Sequence, residues 1–292
     1  MTPTATSGAV HGAARRVQQP QSWEPSVYRA PTPFGPLVLS LQPAPGVELP
    51  SHEVLRAALL LAQAEALVQL LEDWLQAPID LEPGSPGAAG PSAAAHVSLG
   101  PAGGGPVLQA QVHLPWAWLQ ALPPREPALA QQLQALKWQP LATRLVLSRQ
   151  GVQAAEWAQL CQPGAALLLP ESFEPAGWPC ALRPLDSVGE ALLPQDLGAQ
   201  WQPHAARLQW LGQPSPAAAA TGEVMLEVLL RQPLMLTPPE LLAWAGMQVR
   251  ECAGGAALLE RVGVAHAVVH PAQLLPLGLR ADGRAGHLLR ME

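Results

Sequence analysis

The residues with the most reactive side chains are scattered along this chain, and their spacing decides what chemistry they can do. His266 and His270 stand at the interval where two imidazoles share a helical face and grip one metal ion. Their context, Val264-Ala-His-Ala-Val-Val-His270, alternates like a strand, which puts both rings on one face but well apart. No carboxylate or cysteine pattern completes a ligand set, so the reading is an ordinary, partly exposed pair, with no metal. Cys161, Cys180 and Cys252 have no CxxC spacing and read as buried thiols of a reducing compartment rather than a disulfide framework or zinc site. Cys161 borders the turn Gln162-Pro163-Gly164 with no histidine near it in sequence, which favours a structural thiol over a nucleophile. Gly100-Pro-Ala-Gly-Gly-Gly105 lacks the Gly-Lys-Ser/Thr ending that brings a lysine to nucleotide phosphates. Glu171 and Glu174 lie in a loop-like stretch, where carboxylates are solvated by default. No Gly-x-Ser-x-Gly elbow occurs. Residue types and spacing therefore point to no catalytic group, no metal and no cofactor.

Composition narrows the classes further. The chain has 292 residues, with 16 Lys and Arg against 22 Asp and Glu, a net charge of −6 that lacks the basic footprint of a nucleic-acid binder. Its 34 prolines interrupt elements, and 10 Trp against 2 Phe and 1 Tyr make leucine and tryptophan the bulk of any core. The longest apolar stretch, Val54 to Leu75, is broken by Arg56, Gln63, Glu65, Gln69, Glu72 and Asp73, so it is not expected to cross a bilayer. The N-terminus has no charged start followed by an apolar run, which argues against a cleaved signal peptide. The expected setting is the cytoplasm.

Several elements must position whatever these residues do. Residues 1–36 read as a flexible Pro-rich arm and 37–136 as an N-terminal α/β domain. Within that domain, Leu37 to Leu41, His96 to Leu99 and Val107 to Leu114 read as strands, and Ala128 to Leu136 as a short helix. Ser51 can cap a helix from His52 to Gln76 whose Leu55, Leu59, Ala62, Ala66, Leu70 and Trp74 share one face. That stripe suits intramolecular packing, and less readily a docked partner.

The second half repeats an order of elements. Leu141 to Ser148 alternates, a helical turn follows at Ala154 to Leu160, and Ala165 to Leu169, Trp178 to Leu185 and Trp201 to Leu211 read as strands. After a Pro- and Ala-rich linker at 212–222, Val224, Leu226, Val228 and Leu230 alternate against Glu223, Glu227 and Arg231. Thr237 then caps a turn with Pro238 at its first position, and Gly246 opens a further strand, Met247 to Cys252. Strands at Val264 to His270 and from Gln273 to Met291, turned at Asp282-Gly283, complete the copy.

These residues carry a family resemblance. Val224 to Gln232, then Leu236-Thr-Pro-Pro-Glu-Leu-Leu-Ala-Trp-Ala-Gly246, resembles the opening of the SpoA (surface presentation of antigens) module. Gln273-Leu-Leu-Pro-Leu-Gly278-Leu, followed by Asp282-Gly283-Arg284-Ala-Gly286, resembles its closing strands. Leu141 to Leu169 resembles the opening of a diverged first copy that lacks the closing Asp-Gly-Arg, and Met247 stands where the family often has an acidic residue. Two copies behind a larger N-terminal domain resemble the SctQ family, cytoplasmic ring (sorting platform) proteins of type III secretion systems. Leu71-Glu-Asp-Trp-Leu-Gln-Ala-Pro-Ile-Asp-Leu81 is similar to a segment of that family's N-terminal domain.

The resemblance implies an α+β fold, mostly β in the C-terminal half, with modules at 137–211 and 223–292 folding as intertwined β pairs. It implies a scaffold, not an enzyme, cytoplasmic and peripheral to the inner membrane. Self-association would run through module pairing, with the second copy favoured for self-pairing and the first as its partner. The other partners would be a stator-like ATPase regulator (SctL-type), an adaptor (SctK-type) and, indirectly, the ATPase (SctN-type), with no nucleic acid and no direct membrane insertion. Val224, Leu226, Val228, Leu230, Leu241, Leu242 and Trp244, with Leu145 and Leu147, would form the shared core. The alternating pattern alone fits the core of a monomeric domain equally well. A flagellar motor-switch subunit is the alternative within the class, and a small-molecule enzyme of α+β fold the rival outside it.

Overall fold

The computed structural model describes residues 24–43, 49–84, 90–100, 108–169, 177–186, 189–215, 222–262, 269–277 and 286–292. The fold is α+β and mostly antiparallel β. Its N-terminal sheet contains strands β1 (Ser26–Thr32), β2 (Gly35–Gln42), β3 (Glu82–Pro83), β4 (Ser92–Leu99), β5 (Leu108–Pro115) and β6 (Lys137–Trp138). Their order is β3-β1-β2-β5-β4-β6. Four helices accompany it: α1 (Glu53–Gln63), α2 (Glu65–Leu75), α3 (Trp116–Arg125) and α4 (Pro127–Gln134). The sheet begins at Ser26, inside the segment read as an arm, because the Thr32 hydroxyl donates to the Gly35 carbonyl (2.5 Å) and closes a β1–β2 hairpin.

The single helix expected over 52–76 is two, broken at Ala64 (φ −91°, ψ 4°) with a 61° bend. Of the expected stripe, Trp74 alone is buried. Leu60, Ala64, Leu67, Leu71 and Trp74 are buried, whereas Leu55, Leu59 and Leu70 are exposed. Both stripes are apolar at helical spacing, so periodicity alone does not choose between them. The Tyr28 hydroxyl ties α1 to the sheet by donating to the Ala57 carbonyl at 2.5 Å. Helix α3 was hidden in the sequence by Pro123 and Pro124, which fall in its last turn.

The C-terminal half is one eleven-stranded sheet. Its first part contains β7 (Leu141–Val152), helix α5 (Ala154–Leu160), β8 (Ala166–Leu169), β9 (Trp178–Pro184), β10 (Leu197–Gln202) and β11 (Arg207–Pro214). The second contains β12 (Val224–Leu230), β13 (Leu234–Leu236), helix α6 (Pro238–Leu241), β14 (Gln248–Glu251), β15 (Ala256–Arg261), β16 (Val269–Pro276) and β17 (His287–Met291). The stretch Trp201 to Leu211, read as one strand, is two, because Pro203 starts a helical turn that ends on left-handed Ala206. Strand β11 runs to Pro214, into the stretch read as linker. Strand β15, which follows Gly254-Gly255, had no counterpart in the sequence reading.

The strand order β14-β11-β10-β9-β7-β12-β15-β16-β17-β8 is a palindrome of equivalents. Strand β7 corresponds to β12 plus β13, α5 to α6, β8 to β14, β9 to β15, β10 to β16 and β11 to β17. The two long central strands pair antiparallel, from Val224 opposite Val152 to Leu229 opposite Val146, and β13 continues along the other end of β7. Past that seam each part gives one strand to the other. Strand β8 pairs with β17, and β14 with β11. The two parts are thereby interlocked, which covers edges that each would leave unpaired alone.

Candidate functional site

Nothing in the residue types pointed to catalysis, so the site is built from the seam between the two parts. Val224, Leu226, Val228, Leu230, Leu145, Leu147 and Leu241 are all buried, in one continuous core with the N-terminal helices. Each such Leu or Val side chain stabilises by roughly 1.5–3 kcal/mol when removed from water. Leu242 and Trp244 are half-buried. Trp244 turns away from the seam and meets Trp138 of β6 edge-on, ring centres 6.3 Å apart, so it joins the two sheets. The helical turns beyond the central strands match in detail. Glu156 accepts the Gln153 backbone N–H (2.8 Å), and Glu240 accepts that of Thr237 (2.7 Å).

The other face of the same strands carries charge where the sequence suggested a simple solvent-facing edge. Glu227 is 4% exposed. Arg183 of β9 grips it with two hydrogen bonds of 2.6 Å and holds Asp196 through Nε (3.0 Å) and Nη2 (2.9 Å). Arg149 of β7 donates to Glu227 at 2.8 Å and also to Asp196. Two guanidiniums and two carboxylates balance, the condition under which burial of charge is tolerable. Burial alone would raise the Glu227 carboxyl, but the hydrogen bonds and charges of Arg183 and Arg149 hold it below the ordinary value. Burial likewise opposes the Arg183 charge, and its two carboxylates reverse the effect and raise it. The quartet ties β7, β9 and β12, and so both parts. The sequence signal for it was a lone charge in each otherwise apolar strand, Arg183 in β9 and Glu227 in β12.

Beside the quartet a groove of about 580 Å³ runs across β7, β9, β10 and β11. Val146, Cys180, Trp210 and Pro214 help to line it, and the exposed side chains of Leu211 and Met247 stand on it. Met247 comes from the second part, in the segment leading to the exchanged strand β14. Burial pushes the Cys180 thiol strongly up, with Cys252 adding to the rise, so Cys180 offers the groove a small apolar wall. The apolar part of this surface is fitted to bind apolar side chains, and Ser148, Arg149, Gln200, Gln209, Gln213 and Ser215 add polar groups along it.

The remaining candidates are dispersed. Cys161 Sγ lies 3.6 Å from His270 Nε2, and His270 packs edge-on against Trp157. This contact across α5 and β16 was invisible in the linear order. Burial raises the thiol, which keeps it protonated. His266 lies outside the described residues. Among the described residues no group of three or more His, Cys, Asp or Glu side chains could hold a metal ion. Gly246 has φ +89°, a backbone that favours glycine at the end of the α6 turn. Gly286 immediately precedes β17, whereas Gly278, Asp282, Gly283 and Arg284 lie outside the described residues. Among the described residues no single helix is long and apolar enough to cross a membrane. No protein-family model, curated protein or solved structure matches this chain.

Proposed function

We propose that this chain is a non-enzymatic scaffold subunit of the cytoplasmic ring, or sorting platform, of a type III protein secretion system. The observation that carries the reading is the palindromic sheet, in which two diverged copies exchange β8 and β14 across a shared seam. Intertwined pairing is what resemblance to the SpoA module leads one to expect of tandem copies. An assembly subunit needs a rigid body with apolar docking surface, and the groove beside β11 with Met247 and Leu211 at its side offers one. In this reading the groove takes a segment of the stator-like ATPase regulator, and the N-terminal sheet faces an adaptor.

The test is genetic and direct. Deletion of the gene abolishes type III secretion and leaves swimming intact; loss of swimming with normal secretion assigns the chain to a flagellar motor switch instead. At the groove, Met247→Glu and Leu211→Glu change exposed side chains. They are expected to weaken co-purification of the regulator at least tenfold without changing the thermal melt. Unchanged co-purification removes the groove from the docking role.

A further inference from the structure

The charges along the seam are opposite in sign in the two parts. Strands β7 and β12 are equivalents, as are β9 and β15. Each neighbouring pair carries a like-charged couple at the same place: Arg144 stands opposite Arg183 in the first part, and Glu227 opposite Glu260 in the second. The next pairs along, Leu145 with Leu182 and Val228 with Leu259, are buried in the main core. The pairs after those, Val146 with Ala181 and Leu229 with Leu258, form a separate apolar cluster, in which Leu229 meets Val146 across the seam. Arg144 is thus the counterpart of Glu227, and Arg183 of Glu260.

Like charges facing each other on neighbouring strands are unfavourable. Each couple finds its counter-charge across the seam. Arg144 donates to Glu260 at 3.1 Å, and Arg183 to Glu227 at 2.6 Å. These two bridges are images of one another when the parts are interchanged. Arg149 and Asp196, both from the first part, complete a set in which guanidiniums and carboxylates balance. Glu227 is buried and the Glu260 side chain is 18% exposed, so water screens neither well.

Interchanging partners shows what this arrangement selects against. Two second parts joined by the same seam would set Glu227 against Glu260 twice, with no guanidinium at the matched positions. Two first parts would set Arg144 against Arg183 twice. Poorly solvated like charges oppose association, whereas the observed pairing is balanced. We propose that these charges make the seam selective: the second part accepts a first part, of its own chain or of another, and rejects a second copy of itself. This is the reverse of the self-pairing that the family resemblance implies for residues 223–292. Apolar side chains hold the seam together in any pairing, and the charges choose which pairing forms. The inference rests on the sheet alone and not on the secretion reading.

The test uses two full-length chains with complementary reversals. Arg144→Glu with Arg183→Glu puts glutamate at all four matched positions, the set that self-paired second parts would have. Glu227→Arg with Glu260→Arg makes the all-arginine counterpart. Expressed alone, each chain is expected to melt earlier than the parent. Co-expressed under different tags, they are expected to form a two-chain complex. The unaltered first part of one and the unaltered second part of the other restore the parent seam between them. Tandem purification should recover at least tenfold more of this complex than of two tagged parent chains. Rescue by the complementary chain separates charge selection from simple misfolding. The proposal is overturned if either reversed chain alone is a monomer that melts with the parent. It is also overturned if co-expression yields no complex, or if parent chains pair as readily. A dimer of the C-terminal fragment, in native mass spectra of the parent chain cut within residues 216–221, overturns it equally.

Discussion

Arg183 is where loss of a single side chain has the largest electrostatic consequence. Its guanidinium serves Glu227 and Asp196 together, and truncation leaves two poorly solvated carboxylates sharing Arg149 alone. Breaking one partner of such a buried group typically costs about 3–5 kcal/mol. Urea titration of Arg183→Leu should show that loss, and Arg183→Leu combined with Glu227→Leu should recover part of it. Equal stability of the single variant and the parent would mean that the quartet contributes nothing. His287 is the corresponding residue for pH. It is 6% exposed and packs against Trp178 (5.3 Å between ring centres) and Trp201 (6.4 Å), with His204 at 6.1 Å. Burial first, then His204, holds its imidazole below the ordinary 6.5. The unfolded chain therefore binds more protons below that pH. The stability contribution is complete above about pH 6.5 and is lost as pH falls below it, toward the folded value. His113, lowered by burial and by His96, adds the same sign. Thermal melts at pH 7.5 and 5.5 should show the drop, and His287→Gln should shrink it. Glu227 and Glu240, both held below the ordinary 4.5, act in a separate window: their contribution is complete above about pH 4.5 and is lost as pH falls below it, through their folded values.

Among the elements, the α6 turn combines a local and a long-range constraint. Glu240 closes the capping box on Thr237 and also receives Arg250 of β14 at 2.6 Å. Glu240→Ala should cost about 1 kcal/mol from the cap, read as a shift in the urea midpoint. Against the same turn lies Gly212 of β11, at φ +68°, where a Cβ would come within 2.4 Å of the Leu242 carbonyl oxygen. Gly212→Ala should destabilise more than Glu240→Ala, because both the dihedral and the contact oppose it. The sequence made the α6 turn legible, since Thr-Pro-Pro-Glu is a local signal with a local cause. Strands β7, β9 and β12 were legible for the same reason. Which stripe of α1–α2 meets the sheet was not, because two apolar faces compete and the sheet that covers one of them is built from distant residues. The Arg149–Arg183–Asp196–Glu227 quartet was also out of reach. Its members span β7 to β12, and alternation places Glu227 on a polar face without saying that the face is covered. The exchange of β8 and β14 leaves no trace in periodicity, since a strand's pattern does not name its neighbour.

At the scale of the whole molecule, the palindromic sheet makes the two C-terminal parts mutually dependent. A protease site placed within residues 216–221 should, once cut, leave fragments that co-elute in size exclusion and separate only in denaturant. Fragments that part under native conditions would show that the exchanged strands do not hold them. The same arrangement also constrains the order of events during synthesis. Strand β8 has β17 as its paired neighbour, and β12 to β16 all precede β17 in the chain. As the chain grows from its N-terminus, Ala166 to Leu169 emerges early with its strand partner missing and Leu169, buried in the finished fold, uncovered. It cannot find its place until His287 to Met291 has left the ribosome. Completion of this sheet therefore waits for β17, and the waiting interval is when β8 is open to chaperones or to the wrong partner.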